Sequence, residues 1–252
     1  MEKIAKENVN DIFFDGWYKE IWREIIPEEL TAREIDFMMQ AFSLKKGDSV
    51  LDLMCGYGRH AINLARKGLN VTAVDNLKDY ISEIEKISGK ENLSINCVEN
   101  NIQDYCPDNL FDLVICMGNS LNFFNKSDTN SIIYKVSNCL KPAAKFLIHT
   151  WSLTEIVAKN FKEKSWSYVG SIKFLSDSRF YLYPSRIESD NFFIDIDGKT
   201  ERKIGIDYIL SLNEIEELLT RTGLRMVDVY SIPGKKKFAL GDPRAYIVAE
   251  KL

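Results

Sequence analysis

Two carboxylates and a glycine-bearing turn are the residues best able to do chemistry in this sequence. Asp52 ends an apolar run just before the turn that contains Gly56 and Gly58, and Asp75 ends the next apolar run. Glycines let the backbone approach a ligand without a Cβ clash, and the following helix offers free N–H groups at the same place. A carboxylate at the end of the second strand can accept hydrogen bonds from both hydroxyls of a ribose. The pattern predicts a nucleoside-binding site.

Asp52 distinguishes between two kinds of nucleoside ligand. Gly56, Gly58 and Ala61 also satisfy the G-x-G-x-x-A fingerprint of dinucleotide-binding proteins. A pyrophosphate beside the Asp52 carboxylate would be repelled by about 1 kcal/mol or more, depending on screening. A cationic group would be attracted instead. The two carboxylates therefore favour a nucleoside with a positively charged tail over a dinucleotide.

Alternating apolar segments predict the elements that position these residues. Short apolar runs indicate strands, and apolar residues at helical spacing indicate the helices between them. The predicted strands are residues 49–53, 70–75, 93–99, 111–118, 145–151, 224–231 and 244–250. Predicted helices include one that stops at Gly68 and one striped by Ile132, Ile133, Val136 and Leu140, which Pro142 terminates. Such an alternation predicts an α/β fold with a mostly parallel sheet and helices on both faces.

Two further segments are predicted to cover this sheet. Residues 165–210 alternate between polar and apolar types and carry the hairpin signal Asp197-Gly198, which indicates an antiparallel insertion. An aromatic stripe near the amino terminus is typical of a helix that docks on a core. We therefore predict a helical cap over residues 1–45 and a core formed by 46–160 and 206–252. The antiparallel β insertion over 161–205 would act as a lid.

Composition and charge argue against several classes of protein. Hydrophobic residues make up 45% of the chain, which excludes wholesale disorder, and the net charge of -4 argues against a broad nucleic-acid surface. No apolar run approaches the ~20 residues of a membrane helix, and the amino terminus is too polar for a signal peptide. Five cysteines without a CxxC pair, and only two histidines, disfavour disulfides and metal sites. We expect a cytoplasmic protein with no metal; the oligomeric state is not indicated.

Five segments, in order along the chain, resemble the motifs of class I S-adenosylmethionine-dependent methyltransferases. VLDLMCGYGRHAINLARKGLNVTAVD, over residues 50–75, is similar to the first two motifs of the subset that acts on small molecules. The remaining similarity lies in FDLVICMGNSLNFF, LKPAAKFLIHTW, and SLNEIEELLTRTGLRMVDVYSIPG followed by DPRAYIVAEK. The resemblance implies a Rossmann-like, seven-stranded sheet. It also implies S-adenosylmethionine as cofactor, S-adenosylhomocysteine as product, and in-line methyl transfer to a small-molecule acceptor.

The resemblance further implies roles for individual residues. Asp52 would attract the methionyl ammonium, and Asp75 would hold the ribose hydroxyls. The other residues expected to bind the cofactor are Cys55, Gly56, Gly58, His60, Asn76, Leu77, Asn101, Ile102, Met117 and Asn119. His149 is a candidate general base, and Tyr18 is a candidate catalytic residue that could cap the site from the amino terminus. A purely structural role is the alternative for several of them. Asp52 could cap a helix, Asn101 could stabilise a turn, Met117 could belong to the core, and His149 could be a hydrogen-bonded histidine without proton chemistry.

Four residues depart from the family pattern. Asn101 stands where family members commonly have Asp, although its carbonyl can still accept a hydrogen bond from the adenine amino group. Met54 and the pair Ala143-Ala144 stand where glycines are common. Neither glycine replacement affects Asp52 or Asp75, and Asn101 should only alter the strength of binding, so we expect cofactor binding to be kept.

The acceptor is indicated only in outline. Aromatic and cationic residues of the insertion could suit an acidic or planar small molecule, although a role in covering an edge strand explains them equally: Trp166, Tyr168, Arg179, Phe180, Tyr181, Tyr183 and Arg186. A non-catalytic protein that senses the cofactor is an alternative function. An RNA methyltransferase is a further alternative, which the negative net charge disfavours.

Overall fold

Two β-sheets organise the chain in the computed structural model, which describes residues 8–252. The strands are β1 (Ser49–Leu53), β2 (Asn70–Asp75), β3 (Ile95–Glu99), β4 (Phe111–Cys116), β5 (Leu140–Thr150), β6 (Lys164–Val169), β7 (Ile172–Leu182), β8 (Ser185–Ile194), β9 (Thr200–Tyr208), β10 (Leu224–Ile232), β11 (Lys236–Lys237) and β12 (Ala245–Lys251). The helices are α1 (Trp17–Ile25), α2 (Glu28–Ala41), α3 (Arg59–Arg66), α4 (Lys78–Glu91), α5 (Lys126–Cys139), α6 (Thr154–Asn160) and α7 (Leu212–Arg221). Residues 1–7 of the predicted cap lie outside the described part.

The main sheet has the strand order β11-β10-β12-β5-β4-β1-β2-β3. Strands β3, β2, β1, β4 and β5 run parallel, whereas β12 is antiparallel to both of its neighbours, β5 and β10. The predicted α/β class with a mostly parallel sheet is confirmed. The structure adds the two-residue edge strand β11 to the seven predicted strands.

Helices cover both faces of the main sheet because their apolar stripes match its two sides. On one face α2, α3 and α4 bury residues such as Met38, Leu64 and Ile84. On the other face α5 and α7 bury residues such as Ile133 and Leu219. Burial of such side chains supplies most of the driving force for this arrangement, at about 25 cal/mol per Å² of apolar surface.

Helix α5 and strand β5 meet earlier than the sequence predicts. The helix ends at Cys139, so Leu140 begins the strand instead of closing the apolar stripe, and β5 runs through Pro142. Opposite β4, the pairing passes from Leu140 directly to Lys145, so Pro142 and Ala143 sit in an irregularity of the ladder. Proline lacks the N–H that a regular ladder requires. It can be accommodated in this irregularity because no ladder hydrogen bond is needed there.

The second sheet is antiparallel and has the order β6-β7-β8-β9. The predicted Asp197-Gly198 turn joins β8 to β9, and Gly198 has φ +82°. Helix α1 packs on this sheet through Ile21, which is buried with Val169 and Phe193. The aromatic stripe of the amino terminus therefore packs against the second sheet. The division into cap, core and insertion at residues 45, 160 and 205 stays a prediction; the strands of the insertion run from Lys164 to Tyr208.

A buried carboxylate on α2 ties the amino-terminal helices to the main sheet. Glu34 is 1% exposed and accepts hydrogen bonds from Arg59 at 2.5 Å and from the Tyr246 hydroxyl at 2.7 Å. The His60 ring lies 2.9 Å from the same carboxylate. Burial opposes ionisation, but the hydrogen bond from His60 and the charge of Arg59 hold the pKa of Glu34 far below its usual range. The carboxylate is therefore ionised and connects α2, α3 and β12. Within residues 8–252 no helix is long and apolar enough to cross a membrane.

Replacing Glu34 should destabilise the protein strongly. Glu34→Gln leaves the Arg59 charge buried without its carboxylate, and removing one partner of a buried ion pair costs about 3–5 kcal/mol. We expect urea unfolding to show a fall of that size in the free energy of unfolding. Glu91→Gln is the matched control, since it removes a carboxylate that pairs with Arg66 at the surface and should have almost no effect. Equal losses in the two variants would contradict this account.

Candidate active site

A cavity lies at the carboxyl ends of the parallel strands, where β1 is flanked by β2 and β4. Loops that follow these strands line it, together with the segment before α1 and with α1 itself. Most residues predicted to bind a cofactor are among the lining residues: Asp52, Cys55, Gly56, His60, Asp75, Asn76, Asn101, Ile102 and Met117. The topology thus gathers residues from distant parts of the sequence into one site.

Asp52 is the most strongly perturbed carboxylate of this cavity. It is 1% exposed, and its Oδ2 atom accepts a hydrogen bond of 3.1 Å from the N–H of Ala61 in the first turn of α3. Burial raises the pKa of Asp52 to about 7, although the charge of Arg59 and the Ala61 hydrogen bond act in the opposite direction. The residue caps the helix and also faces the cavity. A carboxylate in this position favours a cationic ligand, because a nearby positive charge would relieve the cost of its burial.

Asp75 fixes the geometry between β2 and the glycine turn. Its Oδ2 atom accepts from the N–H of Gly56 at 2.8 Å, and its Oδ1 atom from the N–H of Leu77 at 3.0 Å. Burial raises the pKa of Asp75, and these backbone hydrogen bonds act against the rise. Leu77 supports Asp75 through its backbone and is not among the cavity-lining residues of the described chain.

The two glycines of the turn have different functions. Gly56 has φ +54° and lines the cavity, and a Cβ there would meet nothing within 4 Å. Gly58 has φ +77°, and a Cβ there would lie 2.6 Å from a carbon of the Ile84 side chain on α4. Gly58 is therefore needed for the packing of α3 against α4. It does not contribute to the lining that the structure describes.

Asn101 and Asn76 line the cavity but also make contacts with the protein. The side-chain oxygen of Asn101 accepts from the N–H of Gln103 at 2.9 Å, so this residue also stabilises a turn. The amide nitrogen of Asn76 donates to the backbone oxygen of Asp11 at 3.3 Å. Both contacts leave the amide groups at the border of the cavity, beside the segment that precedes α1.

Asn119 and His149 are buried behind the cavity. Asn119 is fully buried, and its oxygen accepts from Thr150 Oγ1, Trp151 N and Ser152 N at 2.9–3.1 Å. The Nδ1 atom of His149 accepts from the N–H of Gly118 at 3.3 Å, and its ring stacks on Tyr246. Burial lowers the pKa of His149 to about 3. Neither residue is among the described lining residues, and a ring in this setting is poorly suited to accept a proton from a substrate.

The amino-terminal segment contributes lining residues that the sequence did not indicate: Asn8, Asn10, Asp11, Phe14 and Trp22. Asn10 joins this segment to the second sheet, because its side chain bonds to both the N–H and the C=O of Ile206 on β9 at 2.9 Å. It also donates to the C=O of Phe123 at 3.2 Å. Of these residues, Phe14 and Trp22 had a signal in the aromatic stripe, whereas no local pattern relates Asn10 to Ile206.

A second cavity lies between the amino-terminal segment and the inner face of the second sheet. Its lining consists of aromatic residues from several elements and polar residues of β8 and β9: Asn10, Phe13, Tyr18, Phe123, Trp151, Phe174, Ser189, Asn191, Gly205, Ile206 and Asp207. Asn10 and Phe123 line both cavities. Tyr18 therefore belongs to the second cavity, and burial together with the charge of Asp207 raises its pKa.

The insertion residues expected to surround an acceptor lie elsewhere. Trp166 and Tyr168 are each 66% exposed and Tyr183 is 96% exposed. Arg186 pairs with Glu188 and lies over the Tyr181 ring. Together with Arg179 and Phe180, these residues are outside the described lining of both cavities. These side chains therefore do not line either described cavity, and their alternative role in covering an edge strand stays open. Phe180 shares a face of β7 with Phe174 but packs against Phe161.

Comparison with known proteins places this site in a family context. A family model described as a methyltransferase domain matches residues 50–143. A ubiquinone biosynthesis O-methyltransferase of Rickettsia typhi is 36% identical over 87 residues, which is 33% of this chain and 35% of that protein. The chain thus spans about a third of that relative in the alignment. A glycine/sarcosine N-methyltransferase of Halorhodospira halochloris is 23% identical over 97% of this chain and 91% of its own.

The fold similarity extends over nearly the whole chain. The crystal structure of a S-adenosylmethionine-dependent methyltransferase from Clostridium acetobutylicum superposes with a TM-score of 0.77 and 21% identity, covering 93% of this chain and 96% of that one. Residues 50–143 therefore match a methyltransferase domain, and the chain shares the fold of a S-adenosylmethionine-dependent methyltransferase. The resemblance seen in the sequence is confirmed.

Asp52 should make the stability of the ligand-free protein depend on pH. Its pKa in the folded protein is about 7, against about 3.9 in an unfolded chain, so its burial cost is small below pH 4 and complete above pH 7. Asp52→Asn removes this cost. In urea unfolding, we expect the stability of Asp52→Asn relative to the unmodified protein to be about 2–3 kcal/mol more favourable at pH 8 than at pH 5. A relative stability that is the same at both pH values would contradict the assigned burial cost.

Proposed function

We propose that this chain is a S-adenosylmethionine-dependent methyltransferase that transfers a methyl group to a small-molecule acceptor. The observation that carries the proposal is the placement of Asp52 and Asp75 in one cavity beside the glycine turn. The matched methyltransferase domain covers both residues. The fold shared with a S-adenosylmethionine-dependent methyltransferase supports the same conclusion.

The cavity residues fit the chemical groups of S-adenosylmethionine. Asp52 would hold the methionyl ammonium, and Asp75 the two ribose hydroxyls. Ile102 is buried at the cavity wall and would pack against the adenine, while Asn101 and Asn76 offer amide groups at its edge. Cys55, Gly56 and His60 border the methionyl end, and Met117 borders the region of the methyl group. Gly58, Leu77 and Asn119 would act indirectly, through the packing and hydrogen bonds described above.

The contribution of the protein would be alignment and exclusion of water. When bound, S-adenosylmethionine supplies a methyl group on a positively charged sulfur, which leaves as a neutral thioether. In-line displacement depends on the orientation of the two reactants more than on acid–base catalysis. Phe14, Trp22 and Phe123 border the cavity with aromatic rings that would keep water away. His149 stays neutral behind this wall and would position the Gly118 loop through its hydrogen bond.

The relatives support a small-molecule acceptor without fixing the atom that is methylated. One is an O-methyltransferase of ubiquinone biosynthesis and another an N-methyltransferase of glycine and sarcosine. Their shared property is a low-molecular-weight acceptor. We also propose a cytoplasmic location, since the five cysteines are unpaired in the structure, as is usual in a reducing compartment.

Binding of S-adenosylmethionine should become stronger as the pH rises through about 7. Asp52 must be ionised to attract the ammonium, so below its pKa of about 7 binding requires loss of a proton. Isothermal titration calorimetry should show an affinity that falls by up to about tenfold per pH unit between pH 7 and pH 5. Asp52→Asn should weaken binding at pH 8 by about 10–100-fold, the loss of a hydrogen bond to a charged group, and remove the pH dependence. Binding of NAD without binding of S-adenosylmethionine would contradict the proposed methyltransferase function.

A measurement of product formation distinguishes a small-molecule methyltransferase from the two alternative functions, a cofactor sensor and an RNA methyltransferase. We expect release of S-adenosylhomocysteine, followed by mass spectrometry, when the protein and S-adenosylmethionine are incubated with small-molecule acceptors. Cofactor binding with no product across a broad acceptor screen would indicate a sensor. Tight retention of RNA on a filter at low salt would instead favour an RNA methyltransferase.

A further inference from the structure

The second cavity is built to hold a polar group within aromatic walls. Its volume is about 140 Å³, which suits a small molecule. Phe13, Tyr18, Trp151 and Phe174 supply rings, and the sheet supplies polar groups from Ser189, Asn191 and Asp207. Gly205 permits this shape, because a Cβ at that position would lie 2.9 Å from the Phe13 ring.

Asp207 is the charged group of this cavity that has capacity for a ligand. Its Oδ1 atom accepts hydrogen bonds from Asn119 at 2.6 Å and from Ser152 at 3.3 Å. Its Oδ2 atom has no hydrogen-bond partner in the part of the chain that the structure describes, and no Lys or Arg there pairs with Asp207. Lys203, four residues earlier on β9, pairs with Asp15 and Glu201 instead.

The position of Asp207 connects the second cavity to the proposed cofactor site. Asn119, which holds Asp207, follows Gly118, and Gly118 lines the first cavity. The ring of Trp22, in the first cavity, lies 5.5 Å from that of Trp151, in the second. A ligand on the free oxygen of Asp207 would therefore lie beside the boundary between the two cavities.

Only one class of acceptor is compatible with both the charge of Asp207 and the aromatic walls of the second cavity. A carboxylate acceptor would be repelled by Asp207, and a neutral alcohol would leave the charge uncompensated. An ammonium group would pair with Asp207, and aromatic faces attract cations by about 0.5–2 kcal/mol. We infer that the second cavity binds a small primary or secondary amine, with its nitrogen on Asp207, as the methyl acceptor. This inference rests on the proposed methyltransferase function and names the acceptor class for it.

Asp207 would also receive the proton that must leave the amine before transfer. The ammonium N–H bond breaks and its proton moves to the free carboxylate oxygen, which leaves the electron pair on nitrogen. That pair forms the new N–C bond to the methyl group, while the C–S bond breaks and its electrons remain on sulfur. The N-methylammonium product dissociates with its positive charge, and Asp207 then releases the transferred proton to solvent.

Few titratable groups can affect the pH dependence of proton transfer from the amine to Asp207. Burial raises the pKa of Asp207 to about 6, and the hydrogen bonds from Ser152 and Asn119 act against the rise. Tyr18 is the other titratable side chain among the described lining residues, and its raised pKa keeps it neutral. Lys203 and Glu201 on β9 pair with each other and with groups of the amino-terminal segment. The protonation of Asp207 should therefore set the acidic limb of the amine reaction.

The test compares acceptors that differ in one functional group. Benzylamine, benzyl alcohol and benzoate form one set, and glucosamine, glucose and glucuronate another, with S-adenosylhomocysteine measured by mass spectrometry. We expect the unmodified protein to methylate an amine of either set at least tenfold faster than its alcohol or acid. With that amine, and with S-adenosylmethionine kept saturating at every pH so that Asp52 does not limit the rate, kcat/KM for the amine should fall as the pH drops below about 6.

Asp207→Asn should lower kcat/KM for the amine by about 100-fold or more and abolish this acidic limb, with the Kd of S-adenosylmethionine changed less than about threefold. Asp190→Asn is the matched control, because it removes a carboxylate that pairs with Arg202 away from both cavities. Preference for an alcohol or acid probe overturns the inference but leaves the proposed function standing. Cofactor binding with no turnover of either amine also counts against the inference. Failure to bind S-adenosylmethionine would instead reject the proposed function.

Discussion

The burial of the Asp52 carboxylate at the end of β1 is the constraint on which the site depends. The charge of Arg59 favours the ionised form of Asp52, yet the Arg59 guanidinium is held by Glu34 and Thr31. Glu34 in turn needs α2, α3 and β12 around it. The fold therefore keeps the positive charge of Arg59 engaged and leaves Asp52 short of a counter-charge. A cationic ligand would supply this counter-charge. The buried charge that destabilises the unliganded chain is therefore the same one that makes it prefer a cation.

Closure of the site depends on contacts between the two sheets and the segment before α1. Asn10 bonds to β9 and to the loop after β4 at the same time, and its neighbours Asp11 and Phe14 reach the first cavity. One short segment thus borders both cavities. This arrangement gives the two cavities a common wall at Asn10 and Phe123. The same segment connects the antiparallel sheet to the loop after β4.

Local sequence predicts the strand-turn-helix units well, because their determinants lie within a few residues. Gly68, for example, marks the end of a helix in the sequence, and in the structure α3 ends just before it, at Arg66. The glycines expected at positions 54 and 143 have a physical reason as well, since Met54 and Ala143 both adopt positive φ. Long-range contacts such as Asn10 with Ile206, or Asn119 with Asp207, have no such local signal. The inward face of the lid was also undetermined: both faces carry aromatic residues, and alternation alone cannot say which one meets the core.

Two cationic reactants in neighbouring cavities present an electrostatic problem that the distribution of carboxylates addresses. An ammonium acceptor and a sulfonium donor repel each other, and the repulsion is stronger in a site from which water is excluded. Asp52 and Asp207 lie in different cavities, so each can compensate one of the two charges. Transfer of a proton to Asp207 then removes the charge of the acceptor and leaves a neutral nitrogen facing the sulfonium. A carboxylate whose burial has already raised its pKa accepts that proton more readily than an exposed one, so the burial of Asp207 assists the reaction.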